Sequence, residues 1–159
     1  MTPQDRAELL MSYARGPQTL KAALEDYPPE SLDFRPAPDK WSIRDIVFHL
    51  AESELHGYLR ARTAIAEPGT PILAYDQDSW ANTLDAAAQP LSEALDLFRL
   101  LREMLARQLR SLPEKAWTLD FVHPQRGHVS LEKWLEIYEG HLNTHLAQME
   151  RTFRACQSA

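Results

Sequence analysis

Two histidines four residues apart are the residues whose spacing most clearly indicates chemistry. His141 and His145 lie in a segment of helical periodicity, so one turn separates them and both imidazoles project from the same face. Two nitrogens alone hold a metal ion weakly, and a third ligand must come from another segment. His49, in the middle of a second long helical segment, is the natural candidate. Spacing does not show which helices face each other, so ordinary helical histidines remain the alternative.

Several other catalytic patterns are excluded. The sequence has no H-E-x-x-H motif, which excludes the usual metalloprotease helix. No glutamate precedes a histidine by three residues, so the paired E-x-x-H motifs of a di-iron bundle are absent. Neither G-x-S-x-G nor a glycine-rich phosphate loop occurs among the five glycines. Cys156, the single cysteine, is expected to be a bystander near the end of the chain.

Helical periodicity dominates the segments that must position these histidines, and strand-like alternation is nearly absent. Four long helices are predicted, with a break or kink at Gly16-Pro17 and N-caps at Ser42 and Ser130. A short helical piece is predicted between them, and the stretch from Thr118 to Val129 is predicted to be a loop. The four long helices cover approximately residues 3–27, 42–65, 91–112 and 130–155, and the short piece residues 75–89. This pattern predicts an all-α protein built as a four-helix bundle.

Composition narrows the class of protein further. The chain has 159 residues, which predicts a single domain over residues 1–159, and its net charge is −6. Net acidity with dispersed basic residues argues against nucleic-acid binding. No apolar run approaches the length of a membrane span, and no export signal is recognised, so we expect a cytoplasmic protein without a membrane partner.

Three motifs carry a resemblance to a known family. They are the stretch 34–54, the stretch 75–81, and a set of residues that comprises His123, Pro124, Gly127, Tyr138, His141, His145 and Gln148. The first and third are similar to the DinB-like superfamily, and the second points to its YfiT-like branch of metal-dependent hydrolases and thiol transferases. The resemblance covers about residues 7–153 and implies an up-down-down-up four-helix bundle.

The resemblance also implies a ligand set. Carried over by position, His49, His141 and His145 bind one divalent metal ion per chain, either nickel or zinc. Gly140 and Thr144 depart from the branch, in which a tryptophan and an additional histidine often occupy these positions. The pocket wall beside His141 is therefore expected to be more open than in the relatives.

Other residues are candidates for the surroundings of the ion. Glu52 and Gln148 lie within helical reach of the histidines and would support them, unless they belong to a solvated helix face. The pocket rim is expected to include Tyr75, Asp76 and Trp80, and its apolar walls Trp41 and Tyr138. Trp41 has an equally ordinary role as the residue that packs the preceding linker against the bundle.

Catalytic candidates are Glu52 and His123. The imidazole of His123 titrates near neutral pH and lies in a loop that is expected to cover the pocket, as does His128. Glu52 is also an alternative direct ligand, and a carboxylate in the set would favour iron or manganese. His56, two helical turns after His49, is expected to be a partly exposed helix residue.

Three neutral imidazoles would leave a coordination position open, which is typical of catalytic metal sites. Bound water or a bound thiol would lose a proton there and become a nucleophile. The resemblance favours transfer of a low-molecular-weight thiol, such as bacillithiol, to an electrophilic small molecule. Hydrolysis of a small amide or ester is the first alternative, and a non-enzymatic metal-binding bundle in a stress response is the second.

Two further expectations concern partners. Basic residues at the pocket mouth would favour an anionic thiol, and those available are Arg44, Arg60, Arg62 and Arg126. The strongly amphipathic segment Leu91–Leu112 could serve a homodimer.

Overall fold

The computed structural model describes residues 1–159 and contains the four long helices that periodicity predicts. The helices are α1 (Pro3–Glu25), α2 (Ile43–Ala66), α3 (Gln77–Thr83), α4 (Leu91–Arg110) and α5 (Leu131–Gln157). Short 3₁₀ turns occupy Pro29–Ser31, Ala86–Ala88 and Glu114–Thr118. None of the helices has the length and apolar character needed to span a bilayer.

Side-chain caps fix where the two histidine-bearing helices begin. The Ser42 hydroxyl accepts a hydrogen bond from the Asp45 N–H at 3.1 Å, and the Asp45 carboxylate accepts one from the Ser42 N–H at 2.8 Å. This reciprocal capping box starts α2 at the predicted position. The Ser130 hydroxyl accepts from the Lys133 N–H at 3.1 Å and starts α5. Both caps satisfy backbone N–H groups of the first turn and so fix the residue at which each histidine-bearing helix begins.

Pairwise contacts define the direction of each helix. On α1 and α5, the Arg6–Glu132 and Ser12–Glu139 hydrogen bonds advance in the same direction, so these helices are parallel. The bonds Glu54–Arg102 and Arg62–Gln108 show that α2 and α4 are parallel. Between α2 and α5 the pairing runs in opposite directions, from His49–His141 to Gly57–Trp134. The bundle is therefore up-down-down-up, as the resemblance implies.

Two apolar clusters fill the bundle. One surrounds Tyr13, Leu105 and Trp134 and includes residues of the segment before α5. The other surrounds Leu20, Ile46 and Phe98 near the start of α2. Gly16 lets α1 approach α4, because a Cβ there would overlap the guanidinium of Arg102. The predicted break at Gly16-Pro17 is not present, and α1 continues through it.

The prediction of a loop over 118–129 was wrong. Strand β1 (Asp120–His123) pairs antiparallel with β2 (Gly127–Ser130), and Gly127 supplies the positive φ that the turn needs. Strands of four residues are too short to show a clear alternation, although Phe121 and Val129 are both buried. The short helical piece also ends earlier than predicted, at Thr83 in place of residue 89.

The hairpin also holds the chain that follows α2. The Ile72 N–H donates to the Val122 carbonyl at 3.0 Å, and the Val122 N–H donates to the Thr70 carbonyl at 3.0 Å. This pairing carries residues 70–72 along β1 and directs the next residues back over the seam between α2 and α5.

Candidate metal centre

Three histidine rings converge between α2 and α5. The Nε2 atom of His141 lies 3.1 Å from Nε2 of His49 and 3.1 Å from Nε2 of His145. Tetrahedral zinc, with Zn–N distances of about 2.0–2.1 Å, would place its nitrogen ligands about 3.3 Å apart. Both distances are close to this value, and the three ligand nitrogens all lie within 4.8 Å of one another, so the cluster can hold a single small cation. The three residues are those that the resemblance implies.

Burial keeps these imidazoles neutral. His49 is 2% exposed, and burial next to His145 lowers its pKa to about 3. Burial and the two neighbouring imidazoles lower the pKa of His141 to about 3 as well. The pKa of His145 is also lowered by burial. Neutral imidazole is the form that ligates metals, so the cluster is in the correct protonation state near pH 7.

Gln148 and Trp41 contact the histidines from outside. The Nδ1 atom of His145 lies 2.8 Å from Oε1 of Gln148, which accepts a hydrogen bond from Nδ1–H and so leaves the Nε2 lone pair directed at the centre. The indole of Trp41 lies 4.8 Å from the His49 ring and is stacked 6.1 Å from the His145 ring. Trp41 thus forms a wall of the cluster, while Nδ1 of His49 is buried without a hydrogen-bond partner.

A cavity of about 700 Å³ opens beside His141. Its walls come from α2, the segment after α2, the hairpin and α5. The residues with polar side chains that line it are Ser53, Arg60, Tyr75, Asp76, Gln77, His123, Gln125, Arg126, Trp134, Tyr138 and His141. A Cβ placed on Gly140 would meet no atom within 4 Å, but Gly140 does not line this cavity.

The predicted rim residues occupy two sides of α2. Tyr75 and Asp76 line the large cavity, whereas Trp80 lies with His49 and Glu52 at a smaller recess. His56 connects the two sides, because its ring stacks 4.0 Å from Tyr75 and lies 5.3 Å from Trp80. Helical position alone indicated only a partly exposed residue and did not reveal these aromatic contacts of His56.

Tyr75 presents an unused donor to this region. Its hydroxyl is buried without a hydrogen-bond partner, and burial raises the pKa of Tyr75 to about 12. The group therefore stays protonated at neutral pH. A buried hydroxyl is costly when unpaired, so a bound molecule that accepts a hydrogen bond from it would be stabilised.

The two catalytic candidates differ in position. His123 lines the large cavity, and its Nδ1 accepts the Gln125 N–H at 3.2 Å. Its neutral form consequently carries the proton on Nε2, and burial together with Arg60 and Arg126 lowers its pKa. Glu52 faces the smaller recess, where burial raises its pKa. His128 points elsewhere, at 2.5 Å from the Asp120 carboxylate.

Two of the four candidate arginines line the cavity. Arg60 reaches it from α2 and Arg126 from the hairpin turn. Arg44 instead pairs with Asp33, and Arg62 donates to Gln108 on the outside of the bundle. Sequence alone could not separate these four residues, since it does not reveal that the hairpin packs opposite α2.

A family model described as the DinB superfamily matches residues 12–149 of the chain. The chain belongs to this superfamily. The resemblance drawn from three short motifs is thereby confirmed across most of the sequence.

Individual relatives are similar along most of their length. A protein of Oceanobacillus iheyensis is 32% identical over 133 residues, which is 84% of this chain and 77% of the relative. YfiT of Bacillus subtilis is 29% identical over 139 residues, 87% of this chain and 78% of its own. Both are named for a proposed metal-dependent hydrolase activity.

The solved structure of YfiT from Bacillus subtilis superimposes with a TM-score of 0.91 at 25% identity, covering 99% of this chain and 90% of that chain. It is described as having an unusual four-helix bundle topology. Relatives named for metal dependence and a converging three-histidine cluster together indicate a metal ion at this position.

Proposed function

We propose that the protein is a metal-dependent enzyme that transfers a low-molecular-weight, negatively charged thiol to an electrophilic small molecule. One observation carries the proposal: a cluster of three neutral imidazoles adjoins a cavity of about 700 Å³ whose walls include two arginines without carboxylate partners. The volume falls within the usual range for small-molecule sites, about 300–1,000 Å³.

The ligands that would hold the ion are His49, His141 and His145, one ion per chain, with nickel or zinc the metals proposed. A divalent ion held there by three nitrogens would have room for a further ligand and would supply a nucleophile by lowering the pKa of a bound thiol or water. Because the chain's single cysteine is remote from the three histidines in the fold, the sulfur must come from a cosubstrate.

The proposed reaction is a substitution at carbon. The thiol sulfur forms a bond to an electrophilic carbon, the bond from that carbon to the leaving group breaks, and the thiol proton passes to solvent. The leaving group departs with the bonding electron pair, and His123 would stabilise it by donating a hydrogen bond from Nε2–H, since its Nδ1 is already an acceptor. Tyr75 would hydrogen-bond the electrophile from the same cavity, while Trp41 shields the histidines from one side.

Hydrolysis of a small amide or ester is the second candidate function. The names of the Oceanobacillus iheyensis and Bacillus subtilis relatives favour it. The same open position would then hold water in place of a thiol, and the same cavity would bind the ester or amide. A bundle that used the metal only as a structural tie would not require a cavity beside the histidines.

A paired assay tests the proposal. Zinc- and nickel-loaded protein is mixed with 4-mercaptobutyrate and 1-chloro-2,4-dinitrobenzene, and thioether and chloride are measured. A parallel sample receives 4-nitrophenyl acetate, and the His141→Ala variant is the control for both reactions. We expect metal-dependent thioether formation that the variant lacks. Hydrolysis without thioether formation would replace the proposal with the second candidate, and equal rates in the variant would contradict both.

We further propose a cytoplasmic protein that uses small molecules as its partners and forms a homodimer. Leu97, Leu100 and Met104 are exposed along α4, at 39%, 47% and 46%, and offer an apolar face for a second copy. Sedimentation velocity should show a species twice the mass of one chain. A species of a single chain's mass at all concentrations would contradict the dimer.

A further inference from the structure

We infer that Arg60, assisted by Arg126, forms an anion-binding subsite that holds a carboxylate of the substrate at a fixed distance from the histidine cluster. The inference rests on the proposed function and adds to it the residue that selects the thiol. The charge of Arg60 is not neutralised by any carboxylate of the protein.

Arg60 differs from the other arginines that are removed from solvent. Of the five arginines that are buried or half-buried, the other four each contact a carboxylate: Arg6, Arg44, Arg99 and Arg102. Arg60 contacts only neutral acceptors, the Tyr138 hydroxyl at 3.0 Å and the Leu73 carbonyl at 3.4 Å. Its Nε is buried without a partner. A half-buried cation without a counter-ion is costly, so an anion at this position would be stabilised.

Tyr138 links the guanidinium to the cluster. Its hydroxyl accepts the Arg60 hydrogen bond, and its ring centroid lies 6.4 Å from the ring of His141. Gly57 makes room for this ring, because a Cβ there would overlap it. Tyr138 therefore lies between Arg60 and His141, and all three residues line the same cavity.

The opposite wall adds a second cation. Arg126 lies in the turn between β1 and β2, is exposed, and forms no ion pair. Asp76 is the one carboxylate that lines the cavity, and it is engaged as the cap of α3 by accepting the Ser79 N–H at 3.0 Å. The cavity is therefore lined by two guanidinium groups and a single carboxylate, and this excess of positive charge attracts anions.

The chemistry of the two side chains favours a carboxylate. Guanidinium groups bind carboxylates through paired hydrogen bonds, and Arg60 retains free N–H groups for such a pair. We therefore assign the preferred cosubstrate to the class of small thiols that carry a carboxylate several bonds from the sulfur. A neutral thiol of the same length would leave the charge of Arg60 unpaired.

The test compares two thiols of equal length, 4-mercaptobutyrate and 4-mercapto-1-butanol, by calorimetric titration of zinc-loaded protein at low ionic strength. We expect the acid to bind at least about tenfold more tightly than the alcohol, because hydrogen bonds between charged groups are stronger than those to a neutral hydroxyl. Arg60→Gln should abolish this preference, and Arg126→Gln should reduce it. Arg62→Gln, on the same helix but outside the cavity, should retain it.

The outcomes separate this inference from the proposed function. Equal binding of both thiols by the unmodified protein, unchanged in Arg60→Gln, would overturn the subsite while leaving thiol binding intact. If neither thiol binds, the proposed thiol chemistry fails, and metal-free protein titrated with succinate then decides the subsite. Succinate binding that Arg60→Gln and Arg126→Gln both weaken would support it, and no difference between the proteins would overturn it.

Discussion

Helix α2 places two polar side chains in the bundle interior five residues apart, and their surroundings differ. Glu54 accepts hydrogen bonds from the Tyr13 hydroxyl and from Nε of Arg102, the latter at 2.8 Å. Arg102 donates its remaining hydrogen bonds to the carbonyls of Tyr13, at 3.2 Å, and Tyr138, at 2.7 Å. His49 instead faces two other imidazoles and keeps an unpartnered nitrogen.

The difference separates buried polar residues with a structural role from those with a functional role. The Tyr13–Glu54–Arg102 network is closed, since its members are buried and mutually satisfied, and it ties all four long helices together. The histidine cluster is open, since it adjoins a cavity whose walls carry a guanidinium without a carboxylate partner and a hydroxyl without a hydrogen-bond partner. We expect the first to determine stability and the second to determine binding.

The largest effect on stability should follow from Arg102→Met. It leaves the Glu54 carboxylate buried without a cation, and the free energy of unfolding of the metal-free protein should fall by about 3–5 kcal/mol. Urea denaturation measures the change. The double variant Glu54→Met with Arg102→Met should regain part of the loss, because an apolar pair needs no counter-charge. A loss below about 1 kcal/mol for the single variant would show that the network is not closed.

A substitution in the histidine cluster should reduce metal affinity strongly and stability only slightly. His141→Ala removes one of three ligands, so affinity for zinc or nickel should fall by more than about a hundredfold, beyond the range for loss of an outer partner. Stability of the metal-free protein should change much less than in Arg102→Met. Elemental analysis of purified protein and competition with a chelator measure the binding. Equal metal content in the two proteins would remove His141 from the ligand set.

Sequence reasoning succeeded where the information is local. The caps at Ser42 and Ser130, the long helices, and the shared face of His141 and His145 all depend on residues within one or two turns. His49 is 92 residues from His141, so its place in the cluster came from the family resemblance, since periodicity does not determine which helices pack together.

The features that were missed depend on distant contacts. Glu54 and Arg102 are 48 residues apart and form an ion pair only because α2 and α4 pack in parallel. Arg60 lines the cavity because the hairpin and Tyr138 lie next to it, and the sequence of its own helix does not predict either neighbour. The hairpin itself was missed because its four-residue strands show no clear alternation, and part of their pairing is to the distant residues 70–72.

An intermediate effect is expected at Gln148, which supports the cluster from outside. Gln148→Ala removes the acceptor of the His145 Nδ1 proton, so metal affinity should fall by about 10–100-fold, as for other outer partners of metal ligands. Asn143→Ala is the matched control, because Asn143 is an exposed amide on the same helix that bonds only to Glu139. Chelator competition measures both variants. Equal affinities in the two variants would show that Gln148 has no influence on the ligands.

The smallest expected effect is a difference in stability between two tyrosine variants, one in the closed Tyr13–Glu54–Arg102 network and one beside the open cavity. Tyr13→Phe removes a hydroxyl bonded to Glu54 and should lower the free energy of unfolding by about 1–3 kcal/mol. Tyr75→Phe removes a buried hydroxyl without a partner and should leave stability unchanged or raise it by up to about 1 kcal/mol, since the ring still stacks on His56. Urea denaturation of metal-free protein measures both. If Tyr75→Phe lost as much stability as Tyr13→Phe, its hydroxyl would be a structural group, and the cavity would lose one of the donors assigned to its ligand.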